Sequence, residues 1–462
     1  MNEIELRLAS LRELMKREHL SAFIFPSTDA HQSEYVADHW RGREWISGFN
    51  GSAGTAVVTM KSAALWTDSR YFLAAEEQLE GTEYQLMKLK IEGTPTIAEW
   101  LGKELQEVQS PEVGLDGMVN SYNYVKDLSY SLRKLGGITL RTNLDPLAQI
   151  WENRPSLPAN PVEIQPLEYA GETLASKVSR IRKSLRELHA DGMLVSALDD
   201  IAWTLNLRGT DVHCNPVFVS YLLIESDKVS LFVDDNKLSS EVKLYLQDNQ
   251  VSLYNYNKVE KCLESYSEYN ILLDGDETGY YLWKAVKCQE IVAAGSPIPA
   301  MKAVKNKAEI EGYRSAMLKD GVAMVKFLKW LKPAVEAGGQ TEISIDEKLT
   351  SLRAEQKLFR DISFDTIAGY AQHGAIVHYE ATPETDVVLK PEGLILIDSG
   401  AQYQDGTTDI TRTIALGPVS EEMKHIYTLV LKAHIQLELV KFPDGASGTQ
   451  LDAVGRECMW RE

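Results

Sequence analysis

The sequence predicts two α/β domains of similar plan, followed by a third unit of α+β type. In each of the first two, apolar residues at helical spacing precede a short strand-like run and then a strand–turn–strand stretch. The two series begin near Leu8 and near Leu174, and their common order favours an old duplication. Near Met301 the order changes to two helices followed by β-hairpins, which is typical of an α+β fold.

The helix of each α/β domain is predicted from apolar side chains that recur every three or four residues. In the first domain these residues are Leu8, Leu11, Leu14 and Met15. In the second domain they are Leu174, Val178, Ile181, Leu185 and Leu188. The runs Ala22–Phe25 and Met193–Ser196 follow as strands, and the stretches GTAVVTMKSAALWTD and VFVSYLLIESDKVSLFVDD follow as strand pairs.

A proline-rich segment separates the two α/β domains. Residues 151–161 contain three prolines in eleven positions. Because proline lacks a backbone donor and restricts the residue before it, this segment is predicted to be a semi-rigid linker. The predicted domains are therefore residues 1–160, 161–300 and 301–462.

The third unit is predicted to open with two helices. The first begins at Lys307 and is expected to stop at Pro333. Its apolar face is formed by Ile310, Tyr313, Met317, Met324, Leu328 and Leu331. Ser344 and Glu347 have the spacing of a capping box, which would open a second helix that runs through Gln356. The final stretch, QLDAVGRECMWRE, is helix-like and lacks a stop signal, so we expect that the chain ends within its third domain.

Composition excludes several classes of function. The chain of 462 residues has a net charge of −19, whereas nucleic acid and anionic membrane surfaces attract clustered Lys and Arg. No apolar run approaches the roughly 20 residues of a membrane span, and the charged N-terminus lacks the apolar segment of a signal peptide. The four cysteines form no CxxC pair, so neither a structural zinc site nor a disulfide framework is expected. We therefore expect a soluble protein of the cytoplasm, with no nucleic acid or membrane as partner.

Residues 397–413, IDSGAQYQDGTTDITRT, place two aspartates in two strand-like runs around a turn. Buried like charges repel, so either a cation lies between Asp398 and Asp409 or one of them is exposed. If residues 403–406 form the loop, Asp409 faces Gly400 with Asp398 as its diagonal neighbour, and the glycine leaves space for a hard cation. A two-residue Asp-Gly turn would instead place Asp409 opposite Gln402, too far from Asp398 to share one ion. The spacing leaves both registers open, and turn or surface aspartates are commoner than metal ligands.

The same segment resembles the aminopeptidase P (Xaa-Pro aminopeptidase) family of pita-bread metallopeptidases, as do HGAIVHYEATPETD and SFDTIAG before it. Earlier segments extend the resemblance along the whole chain: FPSTDAHQSEY, ALDDIAWTLNLRGTDVHCNPVFVSY and MKAVKNKAEIEGYRSAMLKDGVA. The resemblance implies two related creatinase N-terminal-like α/β domains followed by a partial pita-bread catalytic domain. It also implies a homodimer.

The resemblance assigns roles to four residues. It implies that Asp398 and Asp409 are carboxylate ligands of a centre of two divalent metal ions, most often manganese. His378 matches a histidine that contacts the substrate and supports the tetrahedral intermediate, and Arg70 matches an arginine that reaches the bound peptide. From the residues alone, His378 would more often be a hydrogen-bonded strand histidine and Arg70 a surface residue paired with Asp68.

The implied activity is release of the N-terminal residue from peptides with proline in the second position. The family centre has five ligands, two aspartates, one histidine and two glutamates, and its histidine motif, His-Gly-x-Gly-His-Gly, does not occur in these residues. Only His425 and His434 follow Asp409, both in a helix-like stretch. We therefore expect that residues 1–462, with two of the five ligands, are inactive alone.

Two other functions are compatible with parts of this pattern. One is a naturally shortened, non-catalytic relative that acts in dimerisation or peptide binding. The other keeps the fold but changes the reaction, as in prolidase or creatine amidinohydrolase. The additional middle domain and the DSGAQYQDGTTDITRT segment argue against the second of these.

Overall fold

The computed structural model describes residues 2–462. The first domain is built on one mixed sheet of six strands, covered by helices on both faces. From edge to edge, the strands are Tyr84–Lys88, Ala63–Thr67, Thr55–Thr59, Ala22–Phe25, Glu112–Leu115 and Thr139–Arg141. The helices are Glu3–Arg17, Gly42–Ser47, Phe72–Gln78, Ile97–Glu104, Tyr122–Gly136 and Leu147–Ile150, with a 3₁₀ turn at Asp38–Trp40.

Alternating side chains of the first strand explain the two covered faces. Phe23 and Phe25 pack with Leu8 and Leu11 of the first helix, whereas Ile24 packs on the opposite side of the sheet. A strand that is buried on both faces has no polar positions, and all four of its residues are buried here. The predicted first helix and first strand are both confirmed.

The second domain repeats this construction. From edge to edge, its strands are Val251–Tyr254, Val229–Val233, Ser220–Glu225, Gly192–Val195, Asn270–Leu273 and Glu290–Ala293. Its helices are Leu167–Ala170, Leu174–Glu187, Leu198–Leu205, Ser240–Asp248, Val259–Glu264, Tyr280–Ala285 and Ile298–Ala303, with 3₁₀ turns at Asp235–Lys237 and Tyr256–Lys258. A small ladder joins Glu163–Ile164 to Leu207–Arg208.

The two sheets share strand order and strand direction. In both, the third strand in the order given pairs antiparallel with its two neighbours, and the other three pairings are parallel. The predicted similarity of plan is therefore confirmed, and six strands with the same connections support the duplication.

The proline-rich segment is anchored to both domains. His39 Nδ1 donates to the carbonyl of Pro155 over 2.7 Å, and the amide of Asn160 donates to the Asp211 carboxylate over 3.2 Å. No helix or strand occurs in residues 151–161 of the described chain. These contacts agree with a semi-rigid connection, and the domain boundaries at about residues 160 and 300 remain predictions.

The third domain contains two small sheets and four helices. One sheet has the strand order Phe359–Ile362, Ala401–Tyr403, Gly406–Thr407. The other has the order Ile367–Tyr370, Leu394–Ser399, Ile410–Ala415. The helices are Lys307–Ala337, Glu342–Ala354, Glu421–Leu439 and Gly448–Trp460, with a 3₁₀ turn at Ala371–Ala375. The last helix confirms the helical prediction for QLDAVGRECMWRE.

The sequence misplaced three helix boundaries in this domain. The first helix continues past Pro333 to Ala337, because a proline in the last turn removes a single hydrogen bond of the helix. The second helix begins after Thr341, whose hydroxyl accepts from the Ser344 amide, so Ser344 lies inside the helix and is not its cap. This helix ends at Ala354, two residues before the predicted end.

The buried stripe of the long helix also differs from the predicted apolar face. Met324 and Leu331 are buried as expected, but the other predicted face residues are 37–46% exposed. The buried positions are Ala316, Asp320, Ala323, Met324, Phe327, Leu331 and Val335. Apolar residues occur on more than one side of this helix, so periodicity alone did not identify the packed side.

No helix among residues 2–462 combines the length and the apolar character that crossing a membrane requires. All four cysteines are free thiols.

A buried ion pair joins the two helices that open the third domain. Arg353 Nε lies 2.7 Å from Asp320 Oδ1, and Nη2 lies 3.1 Å from Oδ2, with both side chains fully buried. The hydroxyl of Tyr403 donates to the same aspartate over 3.2 Å. The pair therefore connects both helices to the strand that follows Asp398.

We expect that Arg353→Met lowers the free energy of unfolding of this domain by about 3–5 kcal/mol, because it leaves Asp320 charged, buried and without its partner. Chemical denaturation measures the change. Arg314→Ala is the matched control, because Arg314 and Glu311 are 71% and 59% exposed and such pairs contribute less than about 1 kcal/mol. Equal losses in the two variants would contradict the assignment.

Candidate metal and peptide site

The register of the aspartate hairpin is the one in which the two carboxylates are neighbours. Asp398 pairs with Thr411 and Ser399 with Ile410, while Tyr403 pairs with Gly406 at the turn. Continuing the same register places Asp409 opposite Gly400, as the first of the two predicted registers requires. The alternative pairing of Asp409 with Gln402 does not occur, because Gln402 pairs with Thr407.

The strand that carries Asp398 is buried on one face only. Ile395, Ile397 and Ser399 are buried against the helices, whereas Leu394, Leu396 and Asp398 alternate with them on a partly exposed face. Of the apolar run before Asp398, Ile395 and Ile397 therefore belong to the core. Successive side chains of a strand point to opposite faces, so the Asp398 carboxylate lies on the face opposite the core.

The predicted space beside Gly400 is filled, which corrects one expectation. A Cβ at this position would overlap with the carbonyl oxygen of Thr408 and with Ser363 Oγ. Ser363 Oγ donates to that carbonyl over 2.8 Å, and the Ala401 amide donates to Thr408 Oγ1 over 2.9 Å. The glycine therefore permits close approach of two backbone segments, and it does not provide room for an ion.

The electrostatics of the aspartate pair nevertheless fit a divalent cation. Asp398 Oδ1 is buried and accepts no hydrogen bond from any described residue. Burial raises the pKa of Asp409, and the neighbouring Asp398 carboxylate raises it further. Two adjacent carboxylates without a cationic partner form a ligand set for a hard divalent ion, which would relieve their repulsion. The chemistry of the donors thus fits the metal that the resemblance implies.

His378 lies in a turn and not in a strand, contrary to one of the sequence interpretations. Its Nδ1 atom is 2.8 Å from the hydroxyl of Tyr71, and that hydroxyl is 2.6 Å from Ser52 Oγ. The Tyr71 and His378 rings meet edge to face, with centroids 5.4 Å apart. Side chains of the first domain therefore fix the orientation of this histidine in the third domain.

Arg70 forms a two-point ion pair with Asp68. Its Nε lies 2.9 Å from Oδ1 and its Nη2 lies 2.8 Å from Oδ2. Arg70 lowers the pKa of Asp68, and Asp68 raises the pKa of Arg70, so both stay charged. The Arg70 side chain is 35% exposed and lies over the Tyr71 ring, which places a fixed cation beside His378.

His378 is held mainly in its neutral form. Burial lowers its pKa, and the positive charge of Arg70 lowers it further, while Glu34, Asp68 and Asp398 act in the opposite direction. Arg70 and Asp398 thus both lie within electrostatic range of His378.

A buried carboxylate anchors the segment that leads to His378. Glu342 is fully buried and accepts from the Tyr370 amide at 2.7 Å and from the Tyr379 hydroxyl at 2.9 Å. His373 Nδ1 lies 3.0 Å from both of its oxygens. His373 lies in a 3₁₀ turn and supports the fold of the segment.

Sequence reasoning missed Tyr71 and Glu342. Tyr71 directly follows Arg70 in the segment TDSRY, and this adjacency was the one available signal. Glu342 lies before Ser344, where the second helix was predicted to open, and nothing in its spacing indicated that it would be buried.

Comparison with known proteins assigns each part of the chain to a domain family. Residues 7–141 and 153–309 both match Creatinase/Prolidase N-terminal domains, and residues 311–462 match Metallopeptidase family M24. A probable Xaa-Pro aminopeptidase P from Botryotinia fuckeliana is 39% identical over 477 aligned residues, which cover 99% of this chain and 71% of that protein. The chain belongs to the Xaa-Pro aminopeptidase P family.

Two further comparisons agree with this assignment. A probable Xaa-Pro aminopeptidase P from Paracoccidioides lutzii is 38% identical over 99% of this chain and 76% of its own length. The crystal structure of an X-prolyl aminopeptidase from Caenorhabditis elegans superposes with a TM-score of 0.93 and 33% identity, covering 100% of this chain and 77% of that one. It is described as a cytosolic enzyme with a di-nuclear active site. The predicted fold, two creatinase N-terminal-like domains followed by a pita-bread M24 domain, is confirmed.

We expect that Arg70→Ala raises the pKa of His378, because it removes a cation that disfavours the protonated ring. Asp398→Asn is expected to lower the same pKa, because Asp398 favours the protonated ring. Titration of the His378 ring signals by NMR measures both changes. Arg314→Ala, at an exposed position of the long helix, should leave the pKa unchanged. Shifts of the same sign in the first two variants would contradict this description of the site.

Proposed function

We propose that the protein releases the N-terminal residue from peptides with proline in the second position, as part of a two-metal hydrolase. The observation that carries the proposal is the hairpin register, which makes Asp398 and Asp409 adjacent carboxylates without a cationic partner. Family membership supplies the reaction class, and the names of the relatives supply the substrate class.

Asp398 and Asp409 would hold the metal, for which manganese is the proposed ion, since carboxylate oxygens suit hard divalent cations. Bound divalent ions supply a water of lowered pKa and polarise the scissile carbonyl. The remaining three ligands that the resemblance implies, one histidine and two glutamates, have no assigned counterpart in residues 1–462. We therefore propose that these residues supply two of the five ligands and have no appreciable turnover by themselves.

His378 and Arg70 would contact the peptide. A hydrogen-bond chain in which Ser52 donates to Tyr71 and Tyr71 donates to His378 Nδ1 would leave the Nε2–H as a donor. With its pKa lowered, neutral His378 can donate this hydrogen bond to an oxygen that gains negative charge during hydrolysis. Arg70, already oriented by Asp68, would present its exposed edge to the peptide.

Two features of the relatives are extended to this protein as proposals. The C. elegans enzyme is described as cytosolic, and four free cysteines agree with a reducing compartment, so we propose a cytoplasmic location. We also propose a homodimer, the assembly that the resemblance implies. Analytical ultracentrifugation decides between a monomer and a dimer.

We expect no appreciable hydrolysis of Arg-Pro-Pro by purified residues 1–462 with excess manganese. A chimera that joins them to the part of the C. elegans chain that they do not cover should hydrolyse the peptide. Turnover by residues 1–462 comparable to that of the chimera would contradict the ligand count. Peptide binding by both proteins without turnover by either would favour a non-catalytic role.

In that chimera, Asp409→Asn should reduce kcat by more than about 100-fold, because loss even of groups that support metal ligands costs about 10–100-fold. Arg70→Ala should instead raise KM for tripeptides by about tenfold, as expected for loss of one charged hydrogen bond. Steady-state kinetics separates the two effects. An unchanged KM in Arg70→Ala would remove Arg70 from the peptide site, and retained turnover in Asp409→Asn would remove the metal assignment.

A further inference from the structure

A second group of ligand-type side chains lies between the middle domain and the catalytic domain. The ligand atoms of His213, Cys214 and Asp365 all lie within 4.8 Å of one another. Among residues 2–462, this is the one cluster of three or more His, Cys, Asp or Glu side chains with that geometry. His213 Nε2 is 2.8 Å from Asp365 Oδ1, although the two residues are 152 positions apart in the chain.

The loop that carries Cys214 is built tightly. Val212 and Asn215 form a bridge across a short turn, and Cys214 adopts a positive φ of 59° within it. A non-glycine residue in this region is strained, and the conformation persists only where the surrounding structure imposes it. The Cys214 carbonyl accepts from Gln402 Nε2 over 3.0 Å, so the catalytic domain also holds this turn in place.

The surroundings of the thiol favour a cation. Cys214 is buried, and its pKa is raised to about 12 by burial first and then by the carboxylates of Asp365, Asp361 and Glu380. Burial raises the pKa of Glu380 and Asp365 raises it further, whereas Arg41 and His213 lower it. A bound divalent ion would offset this concentration of negative charge and would stabilise the thiolate.

The donor set selects the class of ion. One imidazole nitrogen, one sulfur and one carboxylate oxygen are the ligands of zinc sites, and sulfur disfavours manganese, magnesium and calcium. Three protein ligands leave a fourth tetrahedral position for water. None of these residues belongs to the Asp398–Asp409 pair. The carboxylate pair and the three-residue cluster therefore differ in the metal that they prefer.

We propose that His213, Cys214 and Asp365 bind a zinc-class divalent ion that joins the middle domain to the catalytic domain. On binding, the S–H bond of Cys214 breaks, the sulfur keeps the electron pair as a metal ligand, and the proton passes to solvent. Asp365 lies two residues before Ile367, whose strand pairs with Asp398. The ion therefore fixes the loop of one domain to the edge of the sheet that carries the carboxylate pair.

Cobalt is the probe, because it replaces zinc and its thiolate complexes absorb in the near ultraviolet. Chelator-treated protein should gain a thiolate-to-cobalt charge-transfer band that saturates at one thiolate-bound ion per chain. The band should disappear in Cys214→Ser and persist in Cys262→Ser and in Asp409→Asn. Zinc should displace the cobalt, and His213→Ala and Asp365→Asn should each weaken zinc binding at least tenfold.

Absence of the band in the unmodified chain overturns the proposal, and so does its persistence in Cys214→Ser. Circular dichroism shows whether Cys214→Ser is folded. If it is not, His213→Ala decides, because His213 is 54% exposed and can be removed with little effect on the core. An unchanged zinc affinity in that variant would contradict the proposed metal site. His213 and Asp365 would then form only a surface ion pair beside a buried thiol. Because the readout is metal binding, the result does not depend on the proposed peptidase activity.

Discussion

Antiparallel pairing of the strands Leu394–Ser399 and Ile410–Ala415 is the constraint on which the site depends. It makes Asp398 and Asp409 diagonal neighbours, although their charges repel and raise the pKa of Asp409. A shift of one residue would turn the carboxylates towards opposite faces. The register withstands this repulsion because Ile395 and Ile397 are buried on the other face of the same strand. Core packing thus holds together two groups that would separate in a flexible loop.

The side chains that contact and orient His378 come from outside the catalytic domain. Tyr71 reaches His378 across the interface, and Arg70 brings a fixed positive charge to the same place. Ser52 and Asp68, which orient these two side chains, also belong to the first domain. The first domain therefore contributes side chains to the candidate site.

Local patterns predicted the fold well, because the helices and strands of the first two domains follow clear periodicity and simple turns. The long helix was harder, since the first part of its packed side consists of Ala316, Asp320 and Ala323, which are small or charged. In the site, spacing allowed two registers and could not show that Thr408 fills the space beside Gly400. Likewise, cysteine spacing gave no sign of the His213–Cys214–Asp365 cluster, because its members come from distant segments.

The hydrogen bond between Tyr71 and His378 spans 307 positions of the chain. Asp398, in contrast, finds both neighbouring strands within a few dozen residues. The carboxylate hairpin therefore has a much lower contact order than the histidine contact. Closing its short loop costs less entropy than closing the long one. We therefore expect the two halves of the candidate site to form at different stages of folding. The hairpin can form within its own domain, whereas His378 reaches its final orientation only when domains made far apart in the chain have docked.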